Sequence, residues 1–283
     1  MKKLEPLIEQ SLNLSYSGRY RIVREDDPLA IDINMIRASG YLPEPGNDRQ
    51  FKDLYRQIKR RLLKRAFAKN AAEMPEDPRA IVVTSALPGD GKTFTSVNLA
   101  LSLARERDVS VLLIDADLPK PQVSTLFGLT DRPGLTNILT DENSAPESVV
   151  LSTSIRGLSI LPAGPSVGGA AELLGSDRMQ EILRRLRLIN PRWIVLLDSP
   201  PLLVTSEGPA LLSVAGQVVL VVRAGVTPQK AVVDAIALFG ETQAGGIVLN
   251  EAPVGFTQSY YGYGTYGSYG TDGPDGEDGS PKI

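Results

Sequence analysis

One stretch constrains this chain more than any other. The apolar run Ala80 to Thr84 passes directly into Ser85-Ala86-Leu87-Pro88-Gly89-Asp90-Gly91-Lys92-Thr93, and helix-forming sequence follows from Phe94 to Arg105. A buried strand that ends in a glycine-bearing turn and reopens as a helix is the context in which backbone N–H groups converge on phosphate oxygens. Gly89 and Gly91 let the backbone turn inward, Lys92 supplies a point charge, and Thr93 offers a hydroxyl to Mg2+. The full GxxxxGK[ST] pattern asks for glycine at position 86, where this chain has Ala86. The expected nucleotide-binding residues are therefore Pro88, Gly89, Asp90, Gly91, Lys92, Thr93 and Phe94.

Such a unit needs a sheet around it, and the sequence supplies one. Short apolar runs recur at Val109 to Ile114, Leu158 to Leu161, Trp193 to Leu197, Gln217 to Val222 and Gly246 to Leu249. Helical stretches separate them, among them Thr93 to Arg105, Ala171 to Ile189 and Pro228 to Phe239. Strands buried on both faces, alternating with helices, predict an α/β fold with a doubly wound, mostly parallel sheet. Residues 1–48 show breakers such as Asp27-Pro28 and Pro43-Glu44-Pro45-Gly46 and read as a flexible N-terminal arm. Phe51, Tyr55, Ile58 and Leu62 then recur at helical spacing, within a stretch to Lys69 that holds nine Lys or Arg and one acid, Asp53. The plainest reading is a helix docked on the core with its basic face in solvent; the alternative is a membrane-surface or oligomer contact. The nucleotide-binding domain, this helix included, is placed at 49–255, and a Gly/Tyr-rich then acidic disordered tail at 256–283.

Composition narrows the chemistry. The chain contains no Cys and no His, so thiolate nucleophiles, Ser/His/Asp catalysis and HExxH metal sites are excluded and a base must be a carboxylate, a Lys or water. VLLIDAD ends on Asp115 and Asp117, and IVLLD ends on Asp198, each at the carboxyl end of an expected strand, where ligands bind in open α/β sheets. A lone Asp in such a place is often a cap or a turn residue. Beside a phosphate loop, three of them predict metal binding and orientation of an attacking hydroxyl, with Thr93, Asp115, Asp117 and Asp198 toward the metal. Asn250, at the end of the last strand, is a candidate nucleotide contact or a turn former.

The segments SALPGDGKT, VLLIDADLPKP, IVLLDSPP and VVLVVRAG, with PAGPSVGGAAELLGSDRMQEIL between them, resemble the bacterial protein tyrosine kinases of capsule and exopolysaccharide assembly. The tail sequence YYGYGTYGSYG is most similar to the exosortase-associated autokinase branch. The resemblance implies a P-loop NTPase of MinD/ParA-like fold with a helical N-terminal extension and the cofactors ATP and Mg2+. It implies catalytic roles for Lys92, Asp115 and Asp117, metal support from Asp198, and autophosphorylation at Tyr260, Tyr261, Tyr263, Tyr266 and Tyr269. Asp53, Arg56 and Lys59 stand where the family carries its ExxRxxR self-association motif, implying a ring-like homo-oligomer. Pro119 replaces an arginine usual in the family's DxDxR, with Lys120 following. The implied partners are a separate transmembrane chain-length regulator that activates the kinase and a protein-tyrosine phosphatase, with no nucleic acid. No apolar run approaches the ~18 residues of a membrane span, so a cytoplasmic location is expected, peripheral at the inner membrane through that partner.

Chemistry independent of the resemblance agrees. A tyrosine hydroxyl ionises near pH 10, so its attack on a γ-phosphate is assisted by a base, and Asp115 or Asp117 is available for it. The competing reading is a MinD/ParA-like ATPase that switches assembly or membrane association without touching tyrosine; the missing second Lys before Lys92 weakens it. A scaffold governed by nucleotide alone is a third.

Overall fold

A computed structural model describes residues 28–46, 48–68, 76–240 and 244–252. In chain order the elements are α1 (Ile33–Ala38), α2 (Asp48–Ala66), β1 (Ala80–Ser85), α3 (Lys92–Leu103), β2 (Ser110–Asp115), α4 (Gln122–Leu126), α5 (Leu135–Thr140), β3 (Leu151–Ser152), β4 (Leu158–Leu161), α6 (Ala170–Leu174), α7 (Asp177–Ile189), β5 (Trp193–Asp198), α8 (Glu207–Ala210), β6 (Gln217–Arg223), α9 (Gln229–Ile236) and β7 (Ala244–Asn250). Two short 3-10 turns, Pro146–Val149 and Leu211–Val214, complete the connections.

The seven strands form one sheet in the order β3-β4-β2-β5-β1-β6-β7, parallel throughout except for the antiparallel β3–β4 pair. The order reverses around β1, which places the loop after β1 at the crevice where open α/β sheets bind ligands. The central strands β1, β2 and β5 are buried at nearly every position because both faces are covered, and alternate residues enter opposite layers. Val82, Leu112, Ile114 and Leu197 pack in one layer with α5, α6 and α7, whereas Ile81, Val83, Leu113 and Leu196 pack in the other against α2 and α3.

The six strands expected from the sequence are all present. The seventh, β3, has two residues and no readable period. The expected helix Ala171 to Ile189 is two helices, because Gly175 ends α6 and the Ser176 hydroxyl accepts from Met179 N to cap α7 anew.

Helix α2 docks as its spacing predicts, with Tyr55 and Leu62 buried and most of its Arg and Lys side chains in solvent. Gln217 fixes its far end by donating to Leu62 O and Pro78 O. Residues 28–46 differ from the expected free arm. Leu29 forms a parallel bridge to Thr153, Ile31 N donates to Ser154 Oγ at 2.9 Å, and α1 is capped by Asp32 and buries Ile36 completely. One short helix with a single fully buried side chain leaves almost no periodicity to read. The tail, with Tyr260, Tyr261, Tyr263, Tyr266 and Tyr269, lies outside the described residues.

Candidate active site

The site is built on the carboxyl edge of the sheet by three strand ends and one helix start. Gly91 caps α3 in the left-handed region (φ +95°) and Gly89 shares it (φ +87°), so the loop turns as its glycines predict. A Cβ on Gly91 would stand 2.0 Å from Asn250 Nδ2, so only glycine fits. Asn250 Nδ2 in turn donates to Asp90 O at 3.0 Å. The Asp90 carboxylate is buried and accepts from Leu87 N (3.2 Å) and from the Thr227 hydroxyl (2.7 Å). Asp90 and Asn250, expected to meet nucleotide, therefore hold the loop's shape, tying it to β7 and to the turn after β6.

Asp115 and Asp198 are register partners on β2 and β5, and Asp117 follows Asp115 by two residues beyond the strand. Asp198 accepts from Thr93 Oγ1 and Ser96 Oγ, both at 2.8 Å, and so fixes the first turn of α3. Asp117 Oδ2 meets Lys92 Nζ at 2.9 Å, and its other oxygen accepts from Lys120 N. Asp115 accepts from Ser124 N at 2.6 Å through Oδ2, while its buried Oδ1 has no partner among the described residues. All three aspartates thus touch the loop or the start of a helix. They do not form a three-carboxylate metal cluster, and none exists among the described residues. Each oxygen of Asp198 accepts from one hydroxyl, Oδ2 from Thr93 and Oδ1 from Ser96.

Burial, with the charge of Asp198 beside it, pushes the Asp115 carboxyl up to about 7. Burial also raises Asp198 to about 6, against the opposing pull of Lys92 and of the Ser96 and Thr93 hydroxyls. Two adjacent buried carboxylates cannot both ionise cheaply, and a cation would relieve both.

The residues fit a nucleotide with Mg2+. Thr93 donates its hydrogen bond to Asp198, which leaves its oxygen lone pairs for a hard cation; the orphaned Asp115 Oδ1 is a second oxygen donor. The open loop at Gly89 and the start of α3 present backbone N–H groups to phosphate.

Besides Thr227, three contributors escaped the sequence reading. Ser96 lies one turn after Thr93 on α3 and shares Asp198 with it. Ser124 donates to Asp115 and accepts from Ala163 N, joining β2 to β4. Tyr41, delivered by the ordered segment, donates to Gln122 Oε1 at 3.1 Å, and burial and the Asp198 charge raise its phenol. Lys120, proposed beside the missing arginine, is exposed.

On α2, Asp53 and Arg56 pair with each other at the surface (2.7 Å). Lys59 does not join them. It is buried, donating to Ser102 O (2.9 Å) and pairing with Glu106 (2.7 Å) within the same chain.

Comparison with known proteins follows this geometry. The model of the AAA domain family matches residues 78–240, which include the loop and all three aspartates. The tyrosine-protein kinase YwqD of Bacillus subtilis (strain 168) is 33% identical over 196 residues, spanning 69% of this chain and 81% of that protein. The tyrosine-protein kinase wzc of Salmonella typhimurium is 30% identical over 182 residues, 63% of this chain but 25% of that longer protein. Among solved structures, the VpsO kinase domain is 33% identical with a TM-score of 0.56, covering 72% of this chain and 99% of that one.

Proposed function

The chain belongs to the bacterial tyrosine-protein kinases, and on that premise we propose that it transfers the γ-phosphate of ATP to tyrosine hydroxyls, first of all those of its own tail. The observation that carries this reading is the Lys92–Asp117 and Thr93–Asp198 pairing at a glycine loop opening a helix, beside the buried Asp115.

Asp117 holds the Lys92 ammonium over the loop, where it can neutralise oxygens of the transferring phosphoryl group. Asp198 keeps Thr93 and Ser96 in fixed rotamers, so the start of α3 is set before any ligand arrives. In a chain without His, the carboxylates that end the β2 segment, Asp115 or Asp117, are the groups available to take the proton of a tyrosine hydroxyl. Bound Mg2+, held by Thr93 with Asp115, supplies charge neutralisation at the phosphate oxygens. Five tyrosines among glycines, Tyr260 to Tyr269, give the site a ready acceptor. Each phosphate adds roughly −1.5 to −2 charges to an already acidic segment.

The wider reading rests on the family. The chain matches a quarter of the longer Salmonella relative, and a transmembrane chain-length regulator is the partner we propose for it. Among the described residues no helix is long and apolar enough to cross a membrane, and we place the kinase at the inner face of the membrane through that partner. Ring-like self-association, reversal by a phosphatase and control of exopolysaccharide polymerisation or export complete the proposal.

The test is mass spectrometry of the tail after incubation of the purified chain with ATP and Mg2+. Phosphate on Tyr260 to Tyr269 that disappears in Lys92→Ala, with ATP turnover persisting when all five tyrosines are Phe, is the expected result. ATP hydrolysis with no phosphotyrosine, even with a membrane activator added, sinks the kinase reading in favour of an assembly switch.

A further inference from the structure

On the amino edge of the sheet, opposite the active site, lies a groove of about 1320 Å³ between α1, α2, the end of α3 and the starts of β2, β4 and β5. Eight Lys or Arg line it and a single acid, Glu106, in a chain whose formal net charge is −3. Glu106 is already paired with Lys59, and the nearby Asp53 with Arg56. Lys52, Arg105, Arg107, Arg156 and Arg192 are exposed and have no ion-pair partner among the described residues. Part of this charge complements the carboxyl end of α3, but Lys59 alone already meets the Ser102 carbonyl there. Five unpaired cations around one concavity, drawn from α2, the α3–β2 turn, the β3–β4 turn and the strand start at 192, make an anion-binding surface.

We propose that this groove binds the acidic segment 272–278 of this chain's own C-terminal region, in the same or a neighbouring copy. Asp272, Asp275, Glu277 and Asp278 give that segment four negative charges and no compensating base. The chain leaves the described structure at Ala252, beyond the end of β7. The stretch from there to Asp272 can extend roughly 65–70 Å, against a domain roughly 35–45 Å across, so the groove is within reach. The other acid-rich piece, Glu25-Asp26-Asp27, is a poorer match. Leu29 runs parallel to Thr153, and Leu151 pairs with Ile160, so the chain arrives from the carboxyl edge of β4 and not from Arg156. A planar lipid surface would meet a convex basic face better than a recessed one. The docking requires no phosphate and stands apart from the activity proposed above.

The chain has no cysteine, so Ser280→Cys in the full-length protein accepts one photo-cross-linker beside the acids. Adducts are expected on peptides containing 105–109, 155–157 or 192, in low salt more than in high salt. Arg105→Glu with Arg156→Glu, exposed positions whose folding is checked by the unfolding midpoint, should cut the yield about tenfold. Adding Asp275→Lys, Glu277→Lys and Asp278→Lys to that pair should restore it. Adducts concentrated elsewhere, or a yield unchanged by the charge reversal, overturn the proposal. So does a reversal that abolishes sedimentation with phosphatidylserine vesicles while leaving the adducts intact, which assigns the groove to lipid.

Discussion

The two edges of one sheet solve opposite electrostatic problems. At the carboxyl edge, aspartates are buried and take fixed partners from the chain: Asp117 takes Lys92, Asp198 takes Thr93 and Ser96, and Asp115 Oδ2 takes the Ser124 amide, its Oδ1 having none among the described residues. At the amino edge, Lys52, Arg105, Arg107, Arg156 and Arg192 are exposed and have no ion-pair partner among the described residues. Buried charge must be paired or neutralised, so the first edge is rigid and prearranged. Exposed cations cost little to leave open, so the second stays available to a partner. Prearrangement at one edge and openness at the other suit chemistry and docking respectively.

The sharpest way to break the carboxyl edge is Lys92→Ala. It removes the cation at the phosphate loop and leaves Asp117 buried without its counter-charge, so tail phosphotyrosine should fall by about 100-fold or more. Phosphate incorporation measured by mass spectrometry, with circular dichroism to confirm the fold, decides it. Gly91→Ala is next. Its Cβ would strike Asn250 and its φ of +95° is strained for alanine, so nucleotide binding should weaken by roughly tenfold. Combining it with Asn250→Ala removes the collision but not the backbone strain, and only part of the affinity should return.

The difference between the edges also explains what could be read from sequence. The loop, its helix and the strand-end aspartates were legible because each sits in a contiguous segment whose local pattern states its structure: VLLIDAD is both a buried strand and the pair of aspartates at its end. Ser96 was recoverable in principle, since a second hydroxyl one helical turn after Thr93 faces the same way. Thr227 was not, because its bond to Asp90 spans 137 residues with no local mark. The groove was equally hidden, as its cations come from turns far apart in the chain, and the helix α2 charges alone pointed to a solvated face or to a membrane-surface or oligomer contact, not to a concavity. Tyr41 escaped because residues 28–46 are ordered by their neighbours, through Leu29 on Thr153 and Asn98 on the Tyr41 carbonyl, not by their own periodicity.

The raised carboxyls make a stability prediction for the chain without nucleotide or metal. Asp115 and Asp198 titrate near 7 and 6 in the folded state, above the ordinary carboxylate value of 3.8 that they regain on unfolding. Between those values the folded state holds more protons, so the stabilisation present at low pH is lost as pH rises through 6 to 7. In EDTA the unfolding midpoint should therefore be a few degrees lower at pH 8 than at pH 6. Asp198→Asn should flatten that dependence, and ATP with Mg2+ should reduce it by neutralising the same carboxylates. A midpoint that rises steadily from pH 6 to 8 would contradict the buried, unrelieved pair.

The smallest effects separate the two roles of helix α2. Lys59→Met removes an ammonium that bonds the Ser102 carbonyl and Glu106, loosening α2 from α3 by about 1–2 kcal/mol. Arg56→Ala breaks only a surface pair, worth roughly 0.2–1 kcal/mol, so its unfolding midpoint should stay close to that of the parent. The contrast matters for self-association. A side chain that contributes little to its own chain's stability yet changes sedimentation when altered must act between chains, whereas a Lys59 variant would change particle size only by disturbing the helix. Arg56→Ala that dissociates the oligomer at an unchanged midpoint would assign the contact to the exposed half of the motif. An unchanged sedimentation coefficient would leave Asp53 and Arg56 as a solvated pair and remove α2 from the assembly interface.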